Sequence, residues 1–143
     1  MKHSELIKEA LLAREKSYSP YSGFRVGAAL LASNGMVYQG CNIENSSYTP
    51  TNCAERTAFF KAVSEGITDF EVIAIVGGKK DEDLDYCAPC GVCRQVMMEF
   101  CDPQKFKIVL AKSEDEYKEY TLEEILPLGF GPKNILNDSI IRK

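Results

Sequence analysis

Two short segments of this sequence hold residue types that can do chemistry together: Asn52-Cys53-Ala54-Glu55-Arg56 and Pro89-Cys90-Gly91-Val92-Cys93-Arg94. Cys90 and Cys93 stand three apart where a helix should begin, a spacing that lets two sulfurs reach one metal ion. Cys53 opens another expected helix and offers a third sulfur. At both starts the free backbone N–H groups and the positive end of the helix dipole favour thiolates over thiols. Three thiolates leave one position of a tetrahedral ion open to water, which is the arrangement of a catalytic site and not of a closed structural one. Glu55, two residues beyond Cys53, can point at that position without ligating and take a proton from the water held there. Three thiolates on a divalent ion also leave an excess negative charge. Arg56 is placed to offset it by donating to the sulfurs.

Cys87 also stands three residues before Cys90, so a closed site of Cys53, Cys87, Cys90 and Cys93 is the competing reading. That would make the chain a non-catalytic, zinc-stabilised binding module. Pro89 and the helix start make Cys90 and Cys93 the natural pair, and a closed site leaves Glu55 without a purpose. Cys41 and Cys101 fall on apolar faces and read as inert core thiols. The one histidine, His3, lies in a terminal segment expected to fray and to be solvated. Ser-His-Asp and Cys-His nucleophile systems therefore lack their imidazole, and any zinc site here must be built from thiolates.

The elements that must position these residues follow from periodicity. Leu6, Ile7, Ala10 and Leu11 make a helical stripe, with Ser4 as the expected N-cap of a helix over 4–16. Residues 26–32 are continuously apolar, as in a strand covered on both faces. Asn34-Gly35 signals a hairpin with positive φ at both turn positions, and 36–41 is the return strand. A helix is expected over 53–64, ended by Gly66, and a strand over 71–76. A third helix, over 91–101, should carry Val92, Val96, Met97 and Phe100 on one side, followed by a strand over 106–111. Thr121 and Glu124 have capping-box spacing for a helical turn, although 117–122 reads equally as an extended edge segment. Helices interleaved with strands, the first two strands forming a hairpin, predict a three-layer α/β/α sandwich with a mixed sheet of about five strands.

At 143 residues, 45% hydrophobic and 27% charged, the chain has the size and balance of one globular domain over 1–143. Its net charge of −4 argues against a polynucleotide partner, which would call for a basic stripe. Lys79-Lys80 is followed at once by Asp81, Glu82 and Asp83 and reads as a solvated turn. No apolar run approaches the roughly 18 residues of a bilayer span, and no signal-peptide core follows Met1. A cytoplasmic protein with reduced cysteines, and without a membrane partner, is expected.

The pairing of Cys53-Ala54-Glu55 with Pro89-Cys90-Gly91-Val92-Cys93 resembles the signature of the zinc-dependent nucleobase deaminases. From about residue 5 to residue 136 the chain is similar to the short, homotetrameric cytidine deaminases. The matching stretches are Ser19 to Ala29, Gly40 to Tyr48, Cys53 to Ala58, Pro89 to Gln95 and Leu126 to Pro132. The resemblance implies one zinc ion per subunit and hydrolysis of free cytidine or deoxycytidine to the uridine and ammonia. In that reaction zinc-held hydroxide attacks C4 and Glu55 shuttles the protons. It also implies that Asn42 and Glu44 hold the ribose 3′-hydroxyl, that Phe24 packs on the pyrimidine and that Ala54 contacts the substrate. Tyr48 and Phe130 would serve the site of a neighbouring subunit. A blasticidin-type deaminase shares the cysteine segments. Arg56 and the Asn42/Glu44 pair favour the cytidine enzyme.

Overall fold

The computed structural model of the chain describes residues 1–136. The expectation of a single domain over 1–143 extends to residues 137–143, which lie outside the described residues. Five strands, β1 (Phe24–Ala32), β2 (Val37–Cys41), β3 (Phe70–Lys79), β4 (Lys107–Ala111) and β5 (Tyr117–Thr121), form one sheet in the order β2-β1-β3-β4-β5. Only β3 and β4 are parallel, so the sheet is mixed. The helices are α1 (His3–Arg14), α2 (Ala54–Ser64), α3 (Gly91–Phe100) and the single turn α4 (Leu122–Ile125). The two readings around residues 117–124 are both met: β5 runs directly into α4. There the Glu124 N–H donates to Thr121 Oγ1 at 3.2 Å, and the Thr121 N–H donates to the Glu124 carboxylate at 2.8 Å.

Successive residues of the central strands enter opposite faces. Leu30, Ile73, Ile75 and Ile108 join Ala58, Phe59 and Met97 on the side of α2 and α3. Ala29, Leu31, Val72, Ala74 and Val109 join Leu6, Ile7 and Ala10 on the side of α1. Because both faces are covered, the strands read as unbroken apolar runs instead of alternating ones. Each Leu, Ile or Phe so buried contributes about 1.5–3 kcal/mol relative to exposure. Phe59 lies 5.0 Å from the ring of Phe70 and 6.0 Å from that of Phe106, which fixes α2 on the sheet. A Cβ on Gly40 would stand 2.2 Å from the Ala54 carbonyl oxygen and 2.6 Å from the Ala58 nitrogen, so only glycine lets the first turn of α2 lie directly on β2.

Several local expectations need correction. α1 begins at His3 with Lys2 at its cap, so Ser4 lies inside the helix. The Lys2 N–H donates to the Glu5 carboxylate at 3.1 Å instead. In the hairpin only Gly35 has positive φ, at +91°, and Asn34 does not. The Gly35 N–H bonds the Ala32 carbonyl at 3.0 Å and the Ala32 N–H bonds that of Met36 at 2.9 Å. These bonds define a three-residue loop with a single left-handed position. Val92 is exposed, while Met97 of the same helix is buried. Cys41, on edge strand β2, is only half-buried, whereas Cys101 is buried as expected. His3 is tied to the fold, its Nε2 lying 2.5 Å from Glu119 Oε1 of β5. No helix among the described residues is long and apolar enough to cross a membrane.

Candidate active site

Cys53 is the N-cap of α2 and Cys90 the N-cap of α3, while Cys93 is the third residue of α3 and nearly fully buried. The three sulfurs lie within 4.8 Å of one another. Cys53 Sγ is 3.7 Å from Cys90 Sγ, which is 3.6 Å from Cys93 Sγ. A tetrahedral zinc ion with Zn–S bonds of about 2.3 Å holds its sulfurs about 3.8 Å apart, so the donor set fits zinc in both chemistry and span. Cys87 does not belong to this group. It packs instead over Gly77, where an added Cβ would come 2.8 Å from Cys87 Sγ and 3.3 Å from Phe24 Cε1. Burial, reinforced by the charges of Glu55 and Cys53, pushes the Cys87 thiol up to about 11, far from a thiolate ligand.

Within the trio one sulfur takes the negative charge first. Cys53 is pushed down to about 5, chiefly because the Cys93 thiol donates to it, with Arg56 and Cys90 adding to the effect against burial. Cys93 is pushed up for the converse reason, as the donor in that bond. Arg56 Nη2 donates to Cys53 Sγ at 3.2 Å, and the thiolates in turn raise the guanidinium's pKa. An arginine in the first turn of a helix opposes the macrodipole, and the adjacent thiolate offsets that cost. Arg56 Nε is buried without a hydrogen-bond partner among the described residues.

Glu55 is the single buried charged residue described, 4% exposed. Burial pushes its carboxyl up to about 7, opposed by its own backbone N–H and reinforced by the charge on Cys53. A carboxyl poised there can both take and return a proton near neutral pH. Ala54, between Cys53 and Glu55, is fully buried beneath the same turn.

The loop after β2 is tied to β1 and to the segment before it. Asn42 Oδ1 accepts from the Val26 N–H at 2.9 Å and from the Ser17 hydroxyl, and its Nδ2 donates to the Phe24 carbonyl at 2.8 Å. One amide N–H of Asn42 is left over. Glu44 accepts the N–H groups of Tyr21 at 2.9 Å and Ser22 at 3.2 Å, and the Ser22 hydroxyl at 2.5 Å. The hydroxyl first, and then these N–H groups, hold the Glu44 carboxyl below its usual range. Tyr21, Ser22, Glu44, Tyr48 and Thr51 line an open cleft of about 420 Å³. Tyr48 is 74% exposed and Phe130 58%.

Sequence reasoning passed over two groups that hold the corner together. Arg94 Nε donates to the Pro89 carbonyl at 2.8 Å, and its Nη1 to that of Ile125, tying the start of α3 to α4. Thr57 Oγ1 donates to the Cys53 carbonyl and accepts from Asn52 Nδ2, both at 3.1 Å. Their place beside the cysteines was the available signal.

A family model, the cytidine and deoxycytidylate deaminase zinc-binding region, matches residues 1–110. The chain is 50% identical over 138 residues to a cytidine deaminase of Halalkalibacterium halodurans, a match covering 96% of this chain and all of that protein. It is 47% identical over 131 residues to a cytidine deaminase of Sporosarcina psychrophila, covering 92% and 93% of the two chains. The crystal structure of cytidine deaminase from Burkholderia pseudomallei superposes with a TM-score of 0.82 at 45% identity, covering 91% of this chain and all of that one. That of cytidine deaminase from Mycobacterium tuberculosis does so with a TM-score of 0.77 at 34% identity, covering 92% and 98%. With a mixed five-stranded sheet, three sulfurs spaced for zinc and matches of this extent, the chain belongs to the cytidine and deoxycytidylate deaminase family.

Proposed function

We propose that this chain hydrolyses free cytidine and deoxycytidine to uridine and deoxyuridine, releasing ammonia. The observation that carries this reading is Glu55, a carboxyl 4% exposed beside three converging sulfurs. Zinc held by Cys53, Cys90 and Cys93 supplies, when bound, a water whose pKa falls from near 16 to about 7. Glu55 would accept one proton from that water and pass it to N3 of the pyrimidine as the water's oxygen bonds to C4. It would then take the remaining proton of that oxygen and deliver it to the amine as the C4–N bond breaks, leaving the C4 carbonyl and ammonia. Arg56 draws charge from Cys53, so that three thiolates do not quench the acidity of the ion.

Phe24 packs on the pyrimidine, and Ala54 contacts the base beside Glu55. The remaining N–H of Asn42 and the Glu44 carboxylate share the ribose 3′-hydroxyl, as donor and acceptor respectively. Tyr48 and Phe130 complete the site of a neighbouring copy in a homotetramer. Their exposure, 74% for Tyr48 and 58% for Phe130, supports that role. Residues 1–143 act as one domain, in keeping with a single sheet shared by both core clusters. Six unpaired cysteines suit the reducing cytoplasm.

Glu55→Gln keeps the shape of the side chain and removes the proton shuttle. Zinc content should stay at one per chain, while kcat falls roughly a hundred- to ten-thousandfold. Ammonia release from cytidine, deoxycytidine and blasticidin reads both rate and substrate. Near-normal turnover in this variant, or preference for blasticidin in the parent, would overturn the reading.

A further inference from the structure

Phe130 is presented by a segment with very little to hold it. Among the described residues, one hydrogen bond reaches the backbone of residues 127–130, and it comes from Gln95 Nε2 to the Phe130 carbonyl at 2.8 Å. Behind the segment lies a cleft of about 350 Å³, lined in part by Met98, Gly129 and Gly131. Met98 closes its near side: a Cβ added to Gly129 would stand 3.0 Å from Met98 Sδ, and one added to Gly131 3.0 Å from Met98 Cε. Gln95 and Met98 are one turn apart on α3, so they share a face. That same helix carries Cys90 as its N-cap and Cys93 in its first turn. Arg94, between Cys93 and Gln95, bonds the Ile125 carbonyl at the root of the segment.

From this geometry we infer that Gln95 is a positioning residue. It pins the backbone of Phe130 to the helix that holds two of the metal ligands, with Met98 as the backstop. The inference rests on the reading that Phe130 contacts substrate in a neighbouring copy's site. A short rigid helix then links one site's sulfurs to the aromatic that serves the next. The donor role is specific, because the Phe130 carbonyl can only accept. Gln95→Glu keeps the size of the side chain but, when ionised, offers no N–H and sets a carboxylate against the carbonyl.

The test is steady-state kinetics of the zinc-loaded protein for Gln95→Ala, Gln95→Glu, Phe130→Ala and the double variant Gln95→Ala/Phe130→Ala. Zinc content and oligomeric state are measured alongside. Loss of one hydrogen bond that orders a binding group should raise KM about three- to tenfold for both Gln95 variants, with kcat, zinc content and assembly nearly unchanged. In the Phe130→Ala background the Gln95 change should have almost no further effect, since it acts through the ring that is gone. Wild-type KM in both Gln95 variants, with Phe130→Ala impaired, overturns the inference and leaves the role of Phe130 standing. Additive effects in the double variant overturn it too, by showing that Gln95 acts elsewhere. An unimpaired Phe130→Ala overturns the underlying reading and the inference with it.

Discussion

At the starts of α2 and α3 the functional side chains are held by their own chain, whereas Tyr48 and Phe130, in the loops around residues 42–52 and 126–131, stand largely in solvent. Cys93 and Glu55 are buried, and Arg56 reaches across one turn to Cys53. Tyr48 and Phe130 are mostly exposed, and each loop carries a non-glycine residue in the left-handed region: Tyr48 at φ +63° and Leu128 at φ +57°. Such a conformation costs about 1–2 kcal/mol per residue. In the corner, burial is matched by hydrogen bonding except at Arg56 Nε. In the loops, strain and exposed apolar surface coexist, in keeping with the proposal that a neighbouring copy covers them. On the proposed reading, proton chemistry is assembled within one chain and substrate holding is finished between chains.

The sharpest way to break this contrast is to empty the corner. Cys93→Ala, or removal of zinc by a chelator, should abolish turnover, about a thousandfold or more. It should also lower the thermal midpoint, because an ion bound only by the folded state stabilises that state. Each ligand must lose its proton to bind, so zinc affinity should rise with pH. Metal analysis and a thermal melt check both outcomes, and full activity in a zinc-free protein would refute them. A smaller effect is expected from Arg56→Gln, which leaves three sulfurs in place but removes the donor to Cys53. Zinc affinity or kcat should fall about 10- to 100-fold, the usual effect of losing a partner that orients a metal ligand.

The loops are tested by mixing. A chain with Glu55→Gln has intact loops, and a chain with Phe130→Ala has an intact corner. Refolded together, they should form hybrids more active than either parent assembly, because an intact corner then meets an intact neighbouring loop. Activity equal to the average of the parents would mean that Phe130 serves its own chain, and the comparison would collapse.

Much of the corner was legible in the sequence, and most of the loops were not. Cys53, Glu55, Cys90 and Cys93 could be read because helix starts and three-residue spacing are local rules. The strands could be read because covering both faces makes them continuously apolar. Ser4 failed as a cap because the Lys2 N–H finds the Glu5 carboxylate, so the helix starts earlier. Asn34 failed because a three-residue loop needs only one left-handed position, and Gly35 supplies it. Cys87 stayed ambiguous at the level of spacing. What separates it from the ligands is its packing over Gly77 beside Phe24, a contact between β1, β3 and the loop after β3. The roles of Gln95 and Arg94 are likewise long-range, since their partners lie some 30 residues away.

The smallest expected effect falls where the two regions join. Glu44 belongs to an exposed loop, yet its carboxylate gathers the Ser22 hydroxyl and the N–H groups of Tyr21 and Ser22, and these bonds lower its pKa from the ordinary 4.5. A carboxyl whose folded pKa lies below its unfolded value contributes stability that is fully present above the unfolded pKa. That contribution is lost as pH falls through the folded one. The 19–23 loop should therefore hold its conformation at neutral pH and loosen only in acid, below about pH 4.5. Ser22→Ala removes the leading cause of the shift, so the Glu44 titration followed by NMR should move up toward 4.5, with little change in global stability because the group is solvated. If Glu44 holds the ribose, the same variant should raise KM modestly while leaving kcat and zinc content alone, since nothing in the sulfur corner depends on Ser22. A fall in zinc content would show that the loop and the corner are one structure, and the division drawn between them would have to be given up.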